Sequence, residues 1–301
     1  MNRKSLNNTF FFSLSLYNLK DDRFSTNNGG LVYGVIVNLT QKWIAVVFRG
    51  TIGLTDINTD RDFRLDHHSF FGSENDVSVP GGKPGTHKGF TEYLVSNRET
   101  DSIERPYIDR ILACVNGEFE DNPDVAGKGF KLFVSGHSLG GGLANLFAFR
   151  AAQLKAKGDD SVKHLPDSIK ALTFASPCVG NDDYNKEFQA LEKNGFLRHI
   201  RVSNEGDIVP TNNIIPPFSF VFKGDTSEYT QNGVNLFLLP NGKLVTDHGN
   251  TKSMFSQFNI LKSLECHLLS MYRSRVGSPA NKEVYQQTIE EIYQTACDFT
   301  E

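Results

Sequence analysis

A serine, a histidine and a carboxylate can transfer acyl groups if the fold brings them together, and this chain carries the three types in a suggestive order. Gly136-His137-Ser138-Leu139-Gly140 is a Gly-x-Ser-x-Gly pentapeptide. Before it, residues 130–135 form an apolar, strand-forming run, and after it residues 141–150 read as an Ala/Leu/Phe helix. Strand, sharp turn and helix is the setting in which a nucleophilic serine sits at a strained apex, and glycines flank it because a Cβ would collide with the neighbouring elements. Ser138 is therefore the candidate nucleophile. It stands at a helix N-terminus, where N–H groups and the helix dipole favour the negative charge that develops on a carbonyl oxygen under attack.

A serine hydroxyl at pH 7 needs an imidazole to take its proton and a carboxylate to hold that imidazole in the right tautomer. Where such an elbow carries the serine, the partners follow in the order Ser, Asp, His. Asp207 has the position of the acid, in the turn-rich loop Ser203-Asn204-Glu205-Gly206-Asp207-Ile208-Val209-Pro210 just past the strand-like run 197–202. An aspartate that merely caps its own turn would look the same. Two histidines lie late enough to be the base. His248 is in the polar stretch Thr246-Asp247-His248-Gly249-Asn250, and His267 lies beside Leu264, Leu268 and Met271, where a core histidine is the competing reading. His199 falls inside a strand and precedes Asp207, and His137 reads as a structural residue packed or hydrogen-bonded under the elbow.

The elements that must position these groups alternate. Residues 31–37 and 43–48 read as a hairpin, and 52–85 is a polar, Gly- and Asp-rich stretch without periodicity. A helical pattern runs through Tyr93 and Leu94, breaks near Pro106 and resumes to Val115. After the elbow come a buried-type strand at 169–174, a helix around 184–191 and a strand at 197–202. Residues 218–222 and 234–239 look like a late antiparallel pair, and one helix is expected to carry Phe255, Phe258, Leu261, Leu264, Leu268 and Met271. Ser278-Pro279 is expected to start a last helix with Val284, Tyr285, Ile289, Ile292 and Ala296 on one face. This alternation predicts an α/β fold with a mostly parallel central sheet covered by helices on both faces, and the elbow after a central strand. Ligands of such sheets bind beyond the carboxyl ends of the strands, where Thr51, Ser138 and Asp207 all fall.

Composition narrows the function classes. Hydrophobic residues at 39%, charged residues at 22% and a formal net charge of −4 are ordinary globular values, with no basic cluster that would favour nucleic acid. No run approaches a membrane span, and Arg3, Lys4 and the Phe/Ser/Leu stretch after them make only a weak imitation of a signal peptide. A cytoplasmic or lipid-associated place is therefore favoured over secretion, with the compartment itself left open. Cys114, Cys178, Cys266 and Cys297 show no metal-site spacing and read as thiols, although an even count also permits disulfides. The run from Asp56 to Asp62 imitates a calcium loop, but Arg61 stands where Gly is needed and His67 where Glu is needed, so no metal site is expected.

With these residues in view, the sequence resembles the class 3, or fungal-type, triacylglycerol lipases of the α/β-hydrolase superfamily. The resemblance covers roughly residues 31–272. Its carriers are Val47-Phe48-Arg49-Gly50-Thr51, Asp60, His87-Lys88-Gly89-Phe90, Ser135 to Gly141, Pro177 with Val179-Gly180-Asn181, Asn204 with Asp207-Ile208-Val209-Pro210, and His267 with Tyr272. It implies an α/β-hydrolase fold with Ser138 as nucleophile, Asp207 as acid and His267 as base, and the backbone N–H groups of Thr51 and Leu139 as oxyanion hole. It further implies hydrolysis of acylglycerols or other lipid esters, including phospholipids or short-chain esters, without metal or organic cofactor and with transient contact to a lipid interface. A lid is implied over residues 53–68, with Leu54 and Ile57 as its apolar turn. A protein that keeps this fold only for binding or signalling would not need all three triad residues. On this reading residues 1–30 are an N-terminal segment of unassigned structure, 31–276 the hydrolase domain and 277–301 a C-terminal amphipathic helix.

Overall fold

The two apolar runs nearest the start of the described chain form one edge of the main sheet. In the computed structural model, which describes residues 31–50, 64–71, 77–96, 105–211, 229–248, 260–278 and 287–296, β1 (Tyr33–Asn38) pairs antiparallel with β2 (Trp43–Phe48). β2 then pairs parallel with β5 (Lys131–His137), which carries the elbow. Parallel pairing continues through β6 (Ile169–Phe174), β8 (Leu197–Asn204) and β10 (Val234–Leu238), and β11 (Leu244–His248) closes the other edge antiparallel. The order β1-β2-β5-β6-β8-β10-β11 thus places the elbow strand inside the sheet. A small second sheet of two-residue strands, β3 (Leu65–Asp66), β4 (Thr86–His87), β7 (Gly180–Asn181) and β9 (Tyr229–Thr230), ties four loops together.

Side-chain alternation along the strands makes two cores. One face offers Ile44, Val46, Phe48, Leu132, Val134, Ile169, Ala171 and Leu197 to the first cluster. That cluster is covered by α1 (Lys88–Val95), α2 (Tyr107–Asp121), α3 (Leu139–Ala156) and α4 (Asp182–Lys193). The opposite face offers Ile200, Val202, Val234, Leu236 and Leu238, which pack with Tyr272 of α6 (Leu269–Val276) and with Ile289, Ile292 and Tyr293 of α7 (Ile289–Ala296). Both faces are therefore covered by helices. α3 is buried nearly all round, as expected of a helix between a sheet and other helices.

Three expectations need correction. β10 takes its antiparallel partner from β11, across a tight turn in which Gly242 has φ 77°, while residues 218–222 lie outside the described region. Asn241-Gly242 is a strong hairpin signal, and it turns the stretch around Thr246 and Asp247 into an edge strand instead of a polar loop. The single late helix is two: α5 (Ile260–His267) ends, Leu268 takes an extended ψ of 138°, and α6 starts. The C-terminal helix does not run unbroken from Ser278, because α7 starts afresh behind Thr288, whose N–H donates to Glu291 Oε2 while its hydroxyl accepts from the Glu291 N–H, a capping box. Val284 and Tyr285 lie outside the described residues, as do residues 1–30, Phe255, Phe258 and Cys297. No disulfide joins Cys114, Cys178 and Cys266 among the described residues.

Candidate active site

β5 delivers the chain to a sharp turn. Ser138 has φ 58° and ψ −127°, a left-handed conformation costly for a residue with a Cβ, and α3 begins at the next residue. The turn closes because its flanks are bare: a Cβ on Gly136 would lie 2.0 Å from the Gly140 carbonyl oxygen, and one on Gly140 2.3 Å from that of Phe48. The expected reason for the two glycines is therefore the observed one. The Ser138 N–H donates to the Phe174 carbonyl at the end of β6, and its own carbonyl accepts from Gly141 and Gly142.

Asp207 lies three residues beyond β8 and is 1% exposed. A buried carboxylate requires donors, and this one has two besides the Val209 N–H of its own turn: Oδ2 accepts from the Tyr272 hydroxyl at 2.7 Å, and both oxygens face His267 Nδ1 at 3.0 and 3.1 Å. The Tyr272 hydroxyl also accepts from the Asn204 N–H at 3.0 Å. Burial, and then the Asp207 charge, push the Tyr272 phenol well above its ordinary range, so it stays a donor. His267, the last residue of α5, completes the line with Nε2 2.9 Å from Ser138 Oγ. With Nδ1–H donated to Asp207, Nε2 is left to accept the serine proton, the arrangement a general base needs.

Leu139 opens α3, where the first N–H groups have no intrahelical acceptor. Thr51, Leu54 and Ile57 lie outside the described residues. Gly50, just before Thr51, runs against the elbow, since a Cβ there would be 2.5 Å from the His137 carbonyl oxygen. The end of the expected lid is not a lid-like helix: Leu65–Asp66 is β3, and Asp66 accepts from the N–H groups of His68 and Ser69. His248 ends β11 opposite Val234, which pairs with Ile200, so its backbone lies level with a point some four residues, or about 13 Å, before Asn204 along the strands. His137 lies under the elbow, its Nε2 2.9 Å from the His267 carbonyl oxygen and its ring edge-on to Tyr272. In the sequence Tyr272 stands out only as a companion of His267, and its bond to Asp207 spans 65 residues that no local signal connects.

Among the described residues no group of His, Cys, Asp and Glu could hold a metal ion, and no helix is long and apolar enough to cross a membrane. The chain is 30% identical to phospholipase A1-IIgamma of Arabidopsis thaliana over 193 residues, covering 62% of this chain and 42% of that protein. It thus spans about two fifths of the length of that relative. Its fold matches that of a triacylglyceride lipase of Rhizomucor miehei with a TM-score of 0.53, at 22% identity and over 78% of this chain and 74% of that one. Lipase II from Rhizopus niveus gives 0.52 at 23% identity, with the same 78% and 74% covered. The architecture is accordingly the α/β-hydrolase fold. A sequence model of the family described as Lipase (class 3) matches residues 45–216, from within β2 through the elbow and past Asp207, and on that match the chain belongs to the class 3 lipase family.

Proposed function

We propose that this protein hydrolyses carboxylic esters of lipids through a covalent acyl-serine. The observation that carries the reading is the unbroken line from Asp207 through His267 to Ser138, with bonds of 3.0 and 2.9 Å. Ser138 Oγ attacks the ester carbonyl while His267 Nε2 takes its proton, and Asp207 steadies the imidazolium. The oxyanion is held by backbone N–H groups of Leu139 and Thr51. The C–O bond to the alcohol breaks, and His267 returns the proton to the departing alkoxide. Water then attacks the acyl-serine with His267 again taking a proton, and its return to Ser138 frees the acid. None of these steps calls on a metal or organic cofactor.

The substrates are acylglycerols or phospholipids. Family membership supports both, and the name phospholipase A1-IIgamma of the Arabidopsis relative supports the phospholipid reading. Transient contact with a lipid interface is supported by Leu268 and Leu269, which are 55% and 58% exposed immediately after His267. The test is Ser138→Ala against the parent on a chromogenic ester, a triacylglycerol emulsion and phosphatidylcholine vesicles, with fluorophosphonate labelling alongside. The variant should lose turnover and labelling while keeping its circular dichroism. Hydrolysis within about tenfold of the parent would sink the assignment, and a parent that neither labels nor turns over would point to a binding protein on the same fold.

A further inference from the structure

The side chain of His267 can hold both its partners only if the backbone beneath it is stationary, and that backbone stands at the end of a helix. Carbonyls of a last helical turn have no N–H of their own helix to accept from. α6 does not supply one to His267, because the N–H groups of Met271 and Tyr272 both donate to the Leu268 carbonyl, one residue further on. Two consecutive carbonyls at this break are instead taken by side chains of the sheet. Asn204 Nδ2 donates to the Cys266 carbonyl at 2.9 Å, and His137 Nε2 lies 2.9 Å from the His267 carbonyl oxygen. Asn204 is the last residue of β8, the strand that leads to Asp207, and His137 is the last residue of β5, the strand that leads to Ser138. Each strand that presents a partner of the imidazole thus also grips the backbone that carries the imidazole.

We infer that His137 is a positioning residue for the hydrolysis proposed above, donating from Nε2–H to the carbonyl of His267 and so fixing the base against the nucleophile's own strand. The inference rests on that reading of Ser138 and His267. A carbonyl oxygen only accepts, so Nε2 must carry the proton. Burial, and then the neighbouring His267, lower the affinity of His137 for a second proton, which keeps the ring neutral and confined to that tautomer. The ring is further held 4.9 Å from the ring of His267 and 5.8 Å from that of Tyr272. His137 therefore touches the base directly and also the tyrosine that donates to Asp207.

Two substitutions separate positioning from packing. His137→Phe keeps a ring of similar size without the donor, and His137→Gln offers an amide N–H near the place of Nε2 without the ring. With kcat referred to folded protein, the Phe variant should lose at least about tenfold in kcat with KM within about twofold, since small misplacements of reacting groups are costly. The Gln variant should recover to within about threefold of the parent. A Phe variant as fast as the parent would overturn the inference, as would equal losses in both variants. A readout independent of turnover is the nitrogen NMR of the His137 ring in the parent: the Nε2–H tautomer is expected across neutral pH, and the Nδ1–H tautomer would overturn the inference. If the parent shows no esterase activity while the Nε2–H tautomer is present, the proposed reaction has failed and the bond to His267 stands.

Discussion

Glu192, near the end of α4, is buried and pushed up from an ordinary 4.5 to about 7, because burial outweighs its hydrogen bond from Tyr293 and the nearby Arg198 and Arg201. Its surroundings agree with a protonated carboxyl. The Tyr293 oxygen accepts from the His199 N–H and lies within bonding distance of both Glu192 Oε1 and the His199 carbonyl, yet it has one proton to give. A proton on Glu192 lets the carboxyl donate to Tyr293 and Tyr293 donate to His199, so all three contacts are met. A carboxyl whose folded pKa lies above its unfolded one favours the native state at low pH. That contribution is whole below about 4.5 and is lost as pH rises through about 7. The gap, at about 1.4 kcal/mol per pH unit, comes to about 3 kcal/mol. Glu192→Gln removes the titration. The variant is expected to match the parent within about 1 kcal/mol at pH 5 and to exceed it by about 3 kcal/mol at pH 8.5. Urea unfolding of both proteins at several pH values gives the difference directly, with other titrating groups cancelling. A difference that does not change between pH 5 and 8.5 would refute the reasoning.

His267→Ala should abolish ester turnover and His248→Ala should leave it within about threefold, because the backbone of His248 lies some four residues short of Asn204 along the strands, on the edge strand; the reverse order of effects would move the base to His248. Tyr272→Phe strips a donor from the Asp207 carboxylate and leaves the Asn204 N–H buried without its acceptor, for a loss of about 3 kcal/mol in chemical denaturation; a loss below about 0.5 kcal/mol would mean that water replaces the hydroxyl. On the expectation that Leu54 and Ile57 make the apolar turn of a lid over residues 53–68, crossing the solubility limit of a short-chain ester should raise the rate only slightly. A jump of about a hundredfold, or about 2.7 kcal/mol, would show a larger apolar lid than those two side chains make.

Elements with an unbroken apolar run and turn residues at both ends were legible from sequence. The strand at 169–174 is β6 residue for residue, and the elbow has the glycine contacts its motif requires. What escaped was decided at a distance. Leu264, Leu268 and Met271 fit one continuous helical face, so nothing local announces the break at Leu268, which leaves His267 at a helix end against Ser138. The grip of Tyr293 on Glu192 and His199 spans 101 and 94 residues and is likewise invisible to periodicity. His199 reads as an ordinary strand position, yet it is fully buried, bonded to Thr173 and Asn232, and pushed down to about 3 by burial and then by Arg201. The Asn241-Gly242 turn, by contrast, was written in the sequence and outweighs the apolar look of residues 218–222.

The span between Ser138 and His267 is 129 residues, and between Asp207 and His267 it is 60. Loops of that length cost chain entropy before their contacts repay it, so a folding chain closes them late. The β1–β2 hairpin closes across four residues and can form early. The only tryptophan, Trp43, belongs to that hairpin, with its ring edge-on to Phe133 at 6.5 Å. Its fluorescence therefore follows the docking of the hairpin on β5, itself a long-range step that comes after the hairpin has closed. During synthesis Ser138 and Asp207 leave the ribosome before His267, so the nascent chain passes through a stage that has the serine and the carboxylate but not the imidazole.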